Sequence, residues 1–191
     1  HGRVATQLEN YMQYEVLPLL QKMVKYDITK DELNKFLHAR HAPEYNTHIN
    51  NINPNAAVDM PLYNTGSGMS TAEAQAFMAS LSPEQLANYK DLGKMVDGMV
   101  HGTQDILVKG QIEDPETIKM WRESFPNYVP LYRTELDYAN TSSGVGSGFS
   151  TQSGFGKSAT GSLKDVDDIL SSITAQRERA VVRSEKGVVG R

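Results

Sequence analysis

The sequence predicts a mainly α-helical protein, with five or six amphipathic helices, long polar loops, little or no sheet and an extended rather than compact arrangement. Two observations predict the helices. Apolar residues recur at steps of three and four in several segments, and capping residues precede most of those segments. A third observation, the Asn-, Gly- and Ser-rich composition of the intervening stretches, predicts the loops. With 191 residues, the chain is long enough for one domain or two small ones.

The first helix is predicted over residues 4–25, where one apolar stripe covers a single face. Its members are Leu8, Tyr11, Met12, Val16, Leu19, Leu20 and Met23. Pro18 lies inside the stripe. Because proline removes a backbone donor and clashes with the preceding turn, we expect a kink or a break there.

The second helix is predicted to begin at Thr29, which has the spacing of a capping box with Glu32. Proline disfavours helix at the preceding residue, so Pro43 predicts that this helix ends at residue 40 or 41. Residues 43–68 are polar and interrupted by proline and glycine, which predicts a loop. A short helical extension over residues 44–52 is the alternative.

Three further helix starts follow the same chemistry, with predicted helices over residues 70–81, over residues 83–108 and from residue 115 to Pro126. The capping residues are Ser70 with Glu73, Ser82 with Gln85, and Asp114 before Pro115.

The helix over residues 83–108 contains three internal glycines, Gly93, Gly98 and Gly102. Each costs about 1 kcal/mol against alanine, so we expect them to allow the close approach of another helix. Gly110 is the predicted stop of this helix.

The chain is predicted to divide into a helical segment over residues 1–133, a tether over 134–162 and a C-terminal helix over 163–191. Residues 128–133 are aromatic, β-branched and proline-containing, which predicts an extended segment. The Gly-, Ser- and Thr-rich tether cannot bury enough apolar surface to order itself. The final helical pattern is still running at the last residues, so we expect it to continue in a longer parent chain.

Composition excludes several classes of protein. No apolar run approaches the ~20 residues of a membrane-spanning helix. The absence of cysteine excludes disulfides and thiolate metal sites. A net charge of −4 argues against general binding of nucleic acid.

His38, His41 and His48, with Glu44, are candidate metal ligands because His38 and His41 are three residues apart on a predicted helix. The spacing is not that of a zinc protease, and histidines near a helix C-terminus also interact favourably with the helix dipole. We therefore predict no metal site, and no other cofactor. A hydrolase that uses His41 as a base is a weaker alternative, since the chain lacks cysteine and a nucleophile elbow.

Residues 154–158 resemble the end of a phosphate-binding loop, but Thr151 stands five residues before the second glycine, where the pattern needs a small residue, and no apolar strand precedes it. Asp165, Asp167 and Asp168 could suggest a cation site. They lack the glycine of a calcium loop, so we interpret them as the solvated first turn of the last helix.

The end of the chain, from Arg177 to Arg191, is basic and could contact a phosphate backbone. Glu178 and Glu185 alternate with the basic residues, and a solvated helix end is the favoured interpretation. Trp121 and Phe125 share a face and are interpreted as packing residues. None of these patterns predicts a catalytic residue.

Four stretches, taken in order, carry a resemblance to a known family. They are FLHARHAPEYNTHI (residues 36–49), GSGMSTAEA (66–74), WRESFPNYVPLYR (121–133) and the stretch from GSGFS to SEKGVV (146–189). Together they resemble a region of giant multidomain phage proteins, known as large polyvalent proteins or internal virion proteins. Tyr45 stands where the first signature has arginine.

The resemblance implies a virion protein that is packaged in the particle and delivered with the DNA. It implies no chemistry for named residues of this chain. We expect a non-catalytic segment of an internal virion (ejection) protein that helps form the core or the ejection conduit. Its expected partners are other internal virion proteins, further copies in a ring or core, the host envelope and, as a weaker option, phage DNA. No small-molecule substrate is expected.

The alternative function is an accessory docking module for a polymerase or helicase in the same polypeptide, such as a virion-packaged RNA polymerase. The expected location is the virion, and then the host envelope or cytoplasm after ejection.

Overall fold

The computed structural model describes residues 2–52, 67–131 and 168–189 of the chain. These residues form α-helices and contain no strand, which confirms the mainly α-helical prediction. The elements are α1 (Gly2–Tyr11), a π-helical turn (Met12–Val16), α2 (Leu17–Tyr26), α3 (Lys30–Ile52), α4 (Thr71–Ser80), α5 (Pro83–Lys109), α6 (Pro115–Ser124) and α7 (Ile169–Val189).

The predicted caps are present and fix where the helices begin. At α5, the amide of Gln85 donates to Ser82 Oγ at 3.1 Å, and the Gln85 side chain accepts from the Ser82 amide at 2.9 Å. Thr29 and Glu32 make the equivalent pair of bonds at α3. Ser70 and Asp114 cap α4 and α6. Local chemistry therefore accounts for these four helix starts.

Pro18 does not break the first helix. The chain instead passes from α1 to α2 through the π turn, where the amide of Leu17 donates to the carbonyl of Met12, five residues earlier. Pro18 has no amide hydrogen for the carbonyl one turn before it. The wider turn that precedes the proline is the arrangement by which this helix accommodates that loss.

Pro43 does not end α3, and the prediction of a helix end at residue 40 or 41 is wrong. The helix continues to Ile52, so the alternative of a helical extension is the one observed. An internal proline costs about 3 kcal/mol. Beyond it, however, α3 buries Tyr45, Asn46 and Ile49, and packs against α4. This burial offsets the cost of the proline.

Two of the three glycines of α5 lie against other helices, as predicted. A Cβ atom at Gly93 would lie 2.9 Å from Arg40 Nη1, and one at Gly102 would lie 2.5 Å from Arg177 Nη2. For Gly98 the prediction is wrong, because a Cβ there would meet no described atom within 4 Å. The helix ends before Gly110 as predicted, but the left-handed residue is Gln111, with φ of 57°.

The main core forms where α2, α3, α5 and α7 meet. Phe36 of α3 stacks on Tyr89 of α5, with ring centroids 4.9 Å apart, and Ile169 and Ile173 of α7 complete this cluster. A second cluster joins α6 to α5 and α7 around Trp121. The apolar stripes of these helices are thus largely covered by neighbouring helices. Of the predicted extended segment, residues 128–131 are described, and they are irregular rather than a strand.

Candidate interaction surface

The histidines of α3 face different partners. His38 Nε2 lies 2.8 Å from the carbonyl oxygen of Ser67. His41 Nδ1 lies 2.6 Å from Glu44 Oε1, so the imidazole donates to this carboxylate. His48 packs edge-on against Phe125, with ring centroids 5.4 Å apart. Within the described residues, no group of three or more histidine, aspartate or glutamate side chains could hold a metal ion.

His41 is enclosed by aromatic rings and is 1% exposed. The rings of Tyr45, Phe125 and Tyr128 lie 5.4–6.1 Å from it, centroid to centroid. Burial lowers the pKa of His41, although Glu44 opposes the shift. A base in this position cannot reach a substrate from solvent, so the geometry gives no support to the hydrolase alternative.

Asp168 has partners within the protein and is not the solvated carboxylate that we expected. It accepts from the amide of Leu170 at the start of α7 and from Asn34 Nδ2 of α3, and it pairs with Lys30 at 3.1 Å. Partial burial raises the pKa of Asp168, but the hydrogen bonds from Ser171, Asn34 and Lys30 together outweigh it, so the pKa is lowered overall. Asp165, Asp167 and the candidate phosphate loop over residues 154–158 lie outside the described residues.

Arg177 is buried, so the interpretation of a solvated basic end is wrong at its first residue. The side chain is only 6% exposed and makes a bidentate pair with Glu15, at 2.8 and 3.1 Å. It also donates to Thr103 Oγ1 and to the carbonyl oxygen of Met99, each at 2.8 Å, and lies 4.5 Å above the ring of Tyr11. No local pattern in the sequence predicts this site, because Glu15 and Arg177 are 162 residues apart.

The Glu15–Arg177 pair anchors the π turn from its inner side. Glu15 belongs to the π turn, Arg177 to α7, and both other hydrogen-bond acceptors of Arg177 belong to α5. A bidentate, charge-assisted contact fixes direction as well as distance. The inner face of the first helix is therefore held in one orientation, and this determines which side chains point outward.

The outer face of the first helix carries an apolar row, which we call the ridge: Leu8, Met12, Val16, Leu20 and Val24. Leu8 and Val16 are half-buried, and the other three are exposed. Met12 is 49% exposed, Leu20 46% and Val24 82%. The first four ridge residues line an open groove of about 800 Å³ together with Ala5, Glu9, Gln13 and Leu17. Contiguous apolar surface of this kind is typical of interaction sites.

A second open groove, of about 620 Å³, lies between α5 and α6. Val108, Pro115 and Ile118 contribute apolar surface there. Its rim carries charges of both signs, and Arg122 is already bound to Asp105 at 2.9 Å. This mixture makes it a weaker docking candidate than the ridge.

Residues from the four stretches that carry the family resemblance contact one another in the structure. Asn46 accepts from the amide of Ser67 at 2.9 Å and donates to the carbonyl of Met69 at 2.9 Å, which joins the first stretch to the second. Glu44 accepts from the amide of Asn127 at 3.1 Å, and this joins the first stretch to the third. Gln176 donates to Tyr128 Oη, which joins the fourth to the third.

These contacts show that residues of the second and third stretches hold the fold together. Ser67 and Asn46 are buried polar residues that satisfy one another. Trp121 is 4% exposed and packs against Tyr128, as expected for a packing residue rather than a stacking platform. The motif residues named here therefore lie inside the fold, whereas the ridge lies on its surface.

No family model matches the chain, and comparisons with curated proteins and with solved structures find no similar protein. Among the described helices, none combines the length and apolar character required to cross a membrane. The class of protein that the fold defines is thus a mainly α-helical one with an exposed apolar ridge.

Proposed function

We propose that this chain is a non-catalytic helical interaction segment of a phage internal virion (ejection) protein. In this proposal it is packaged in the particle and delivered with the genome, and it helps form the core or the DNA-ejection conduit. Its partners are other internal virion proteins, further copies of itself and, after ejection, the host envelope. The family resemblance of the four stretches supplies the phage context, and the ridge supplies the argument for interaction.

The single observation that carries the proposal is the exposure of the ridge on a helix whose inner face is firmly anchored. Burying apolar surface contributes about 25 cal/mol per Å², so a helix that leaves Met12, Leu20 and Val24 in water forgoes stability. A partner surface would recover it. His41 and Arg177 are buried and Asp168 is bound within the protein, so none of these three side chains offers a competing site.

The proposal is tested in a phage that carries the parent gene, with Leu20→Glu as the ridge variant and Met120→Glu as its matched control. Met120 is 60% exposed on α6, so both changes place a carboxylate on an exposed helix face. We expect Leu20→Glu to reduce packaging of the protein or delivery of DNA, whereas Met120→Glu leaves both unchanged.

The same experiment distinguishes the accessory docking module from the structural segment. If the parent chain has a polymerase or helicase activity, that activity is measured beside packaging. Lost catalysis with normal packaging favours the docking module. Normal packaging, delivery and catalysis in the Leu20→Glu phage would contradict both functions.

A further inference from the structure

A second row of residues lies beside the ridge, and its charge pattern is complementary to that of the same row in the reversed direction. This flanking row is Glu9, Gln13, Leu17, Gln21 and Lys25, and every member is exposed. The row is symmetric about Leu17, which has a glutamine on each side and then a charged residue at each end. The two terminal charges have opposite signs. The ridge beside it is apolar at all five positions.

We propose that a second copy of this chain docks antiparallel on the ridge and forms a dimer with two-fold symmetry. The inference deepens the proposed function and rests on it, since it names the partner that covers the ridge. In an isologous contact the same patch is used by both copies, so the patch must be self-complementary. The flanking row meets this requirement only in the antiparallel orientation.

A two-fold axis that passes between Val16 and Leu17 brings complementary residues together. Glu9 of one copy then lies at the end of the interface where the second copy has Lys25, and Gln13 lies near Gln21. In the ridge, Leu8 faces Val24 and Met12 faces Leu20. A parallel pairing would instead place Glu9 beside Glu9 and Lys25 beside Lys25, and like-charge contacts of this kind oppose binding.

The π turn helps the two rows to act as one surface. Residues spaced by four drift around an α-helix, because one turn holds 3.6 residues. The π turn over Met12–Val16 is wider, and it lies in the middle of both rows. The drift is reduced there, which keeps the row ends closer to one side of the helix.

Glu9 and Lys25, the two terminal charges of the flanking row, are exposed, and neither forms an ion pair with another described residue. The neighbouring charges Lys22 and Arg3 do have ionic partners. Lys22 is paired with Asp91 at 2.7 Å, and Arg3 lies 4.0 Å from Glu185. For Lys25 the described contact is with the ring of Tyr26, whose centroid is 5.9 Å from the ammonium nitrogen. Glu9 and Lys25 are thus placed to select the orientation of a partner.

The charge pattern favours a second copy over a lipid surface. A helix that lies on an anionic membrane carries basic residues along the edges of its apolar face. Here one edge holds Glu9, and its charge would be repelled by such a surface. Binding to vesicles is nevertheless measured below, because it is the other occupant that an amphipathic helix could accept.

The first test is sedimentation of the full chain over a range of protein concentrations. We expect a monomer–dimer equilibrium for the unchanged protein. Glu9→Lys alone and Lys25→Glu alone should each weaken dimerisation about tenfold, because each creates two like-charge contacts in the symmetric interface. The double variant, Glu9→Lys with Lys25→Glu, restores both opposite-charge contacts and should recover most of the association.

The orientation is tested by disulfide cross-linking. Because the chain has no cysteine, an introduced cysteine is the only thiol in each variant. Protein with Gln13→Cys is mixed with protein carrying Gln21→Cys and oxidised. An antiparallel dimer gives more cross-linked product in the mixture than in either protein alone. Stronger cross-linking within the separate samples would indicate parallel pairing and overturn the proposal.

Several other results would overturn the proposed dimer. A monomer at all concentrations, or single-charge variants that the double variant does not rescue, would overturn the dimer, as would a dimer that survives Leu20→Glu. Binding to phosphatidylglycerol vesicles by an otherwise monomeric chain would assign the ridge to a membrane instead. Circular dichroism confirms that each variant is folded, and Met120→Glu serves as the surface control.

Failure of this inference is distinguishable from failure of the proposed function. A monomeric protein whose Leu20→Glu phage is still defective would reject the second copy and retain the virion role. A dimeric protein whose ridge variants infect normally would retain the dimer and reject that role.

Discussion

The first helix and α3 differ in how their apolar residues are used. In α3, the buried residues extend from Leu33 to Ile49, and its buried polar residues have partners inside the fold. In the first helix, Tyr11, Leu19 and Met23 are buried, whereas Met12 and Leu20, which follow two of them directly, are almost half exposed. The apolar stripe of the first helix is therefore wider than the core can cover. A stripe of excess width indicates an interaction face, and its width is visible in the sequence.

The largest expected effect comes from the anchor of the first helix. Arg177→Ala should destabilise the fold by about 3–5 kcal/mol, because it leaves Glu15 without its ion pair and the acceptors of α5 without a donor. Urea unfolding followed by circular dichroism measures the change. Lys186→Ala, an exposed position on α7, is the control and should leave stability nearly unchanged. Equal effects of the two substitutions would show that Arg177 is not an anchor.

Two adjacent leucines lie on the two faces of the first helix and differ most clearly in burial. Leu19 is 1% exposed and Leu20 is 46% exposed. Leu19→Ala should cost about 2–5 kcal/mol, whereas Leu20→Ala should change stability by no more than about 0.5 kcal/mol. Both are measured by urea unfolding at low protein concentration, so that self-association does not contribute. Similar losses at the two positions would mean that the ridge is part of the core.

A smaller effect is expected from the buried imidazole of α3. Burial lowers the pKa of His41 below its ordinary value of 6.5, so the unfolded chain binds a proton more readily than the folded one. The free energy of unfolding should therefore decrease as pH falls from 6.5 towards the lowered pKa of His41. His48 and His101 shift in the same direction through burial and contribute to the same window.

Urea unfolding between pH 7 and pH 5 measures this dependence. His41→Gln should flatten it more than His48→Gln, because His48 is only partly buried. Asp91 and Asp168 have lowered pKa values and affect stability in a separate pH range. Their contribution to the stability of the fold is lost only near and below pH 3.8, the ordinary pKa of an aspartate. Stability that rises on acidification from pH 7 to pH 5 would contradict the burial of His41.

The sequence predicted the helix starts well and the helix interruptions poorly, for a physical reason. A cap depends on residues two or three positions apart, so Ser82 with Gln85 could be recognised locally. Whether a proline breaks a helix depends on what the helix buries beyond it. Tyr45, Asn46 and Ile49 decide this for Pro43, and their contacts with distant segments could not be foreseen.

The candidate sites follow the same division. The ridge is a local property of residues 8–24, and the stripe that contains most of it was visible in the sequence. The Glu15–Arg177 pair joins positions 162 residues apart, and an arginine in a run of alternating charges looked like a solvated helix end. The pairing of His41 with Glu44 could be predicted locally, because the two residues are three positions apart on a helix. The rings of Phe125 and Tyr128, which also enclose His41, come from the segment after α6 and could not.

The smallest effect compares a glycine that faces α3 with one that does not. Gly98 is exposed, and a Cβ there would meet no described atom within 4 Å, so Gly98→Ala should stabilise α5 by about 0.5–1 kcal/mol through helix propensity. At Gly93 the added Cβ would lie 2.9 Å from Arg40 Nη1 and 3.3 Å from Phe36 Cε1. Arg40 is held by two hydrogen bonds to Asp97, and Phe36 is stacked on Tyr89, so neither side chain can move freely. Gly93→Ala should therefore lower the urea midpoint while Gly98→Ala raises it, and a rise at both positions would mean that α3 and α5 are packed less closely than described.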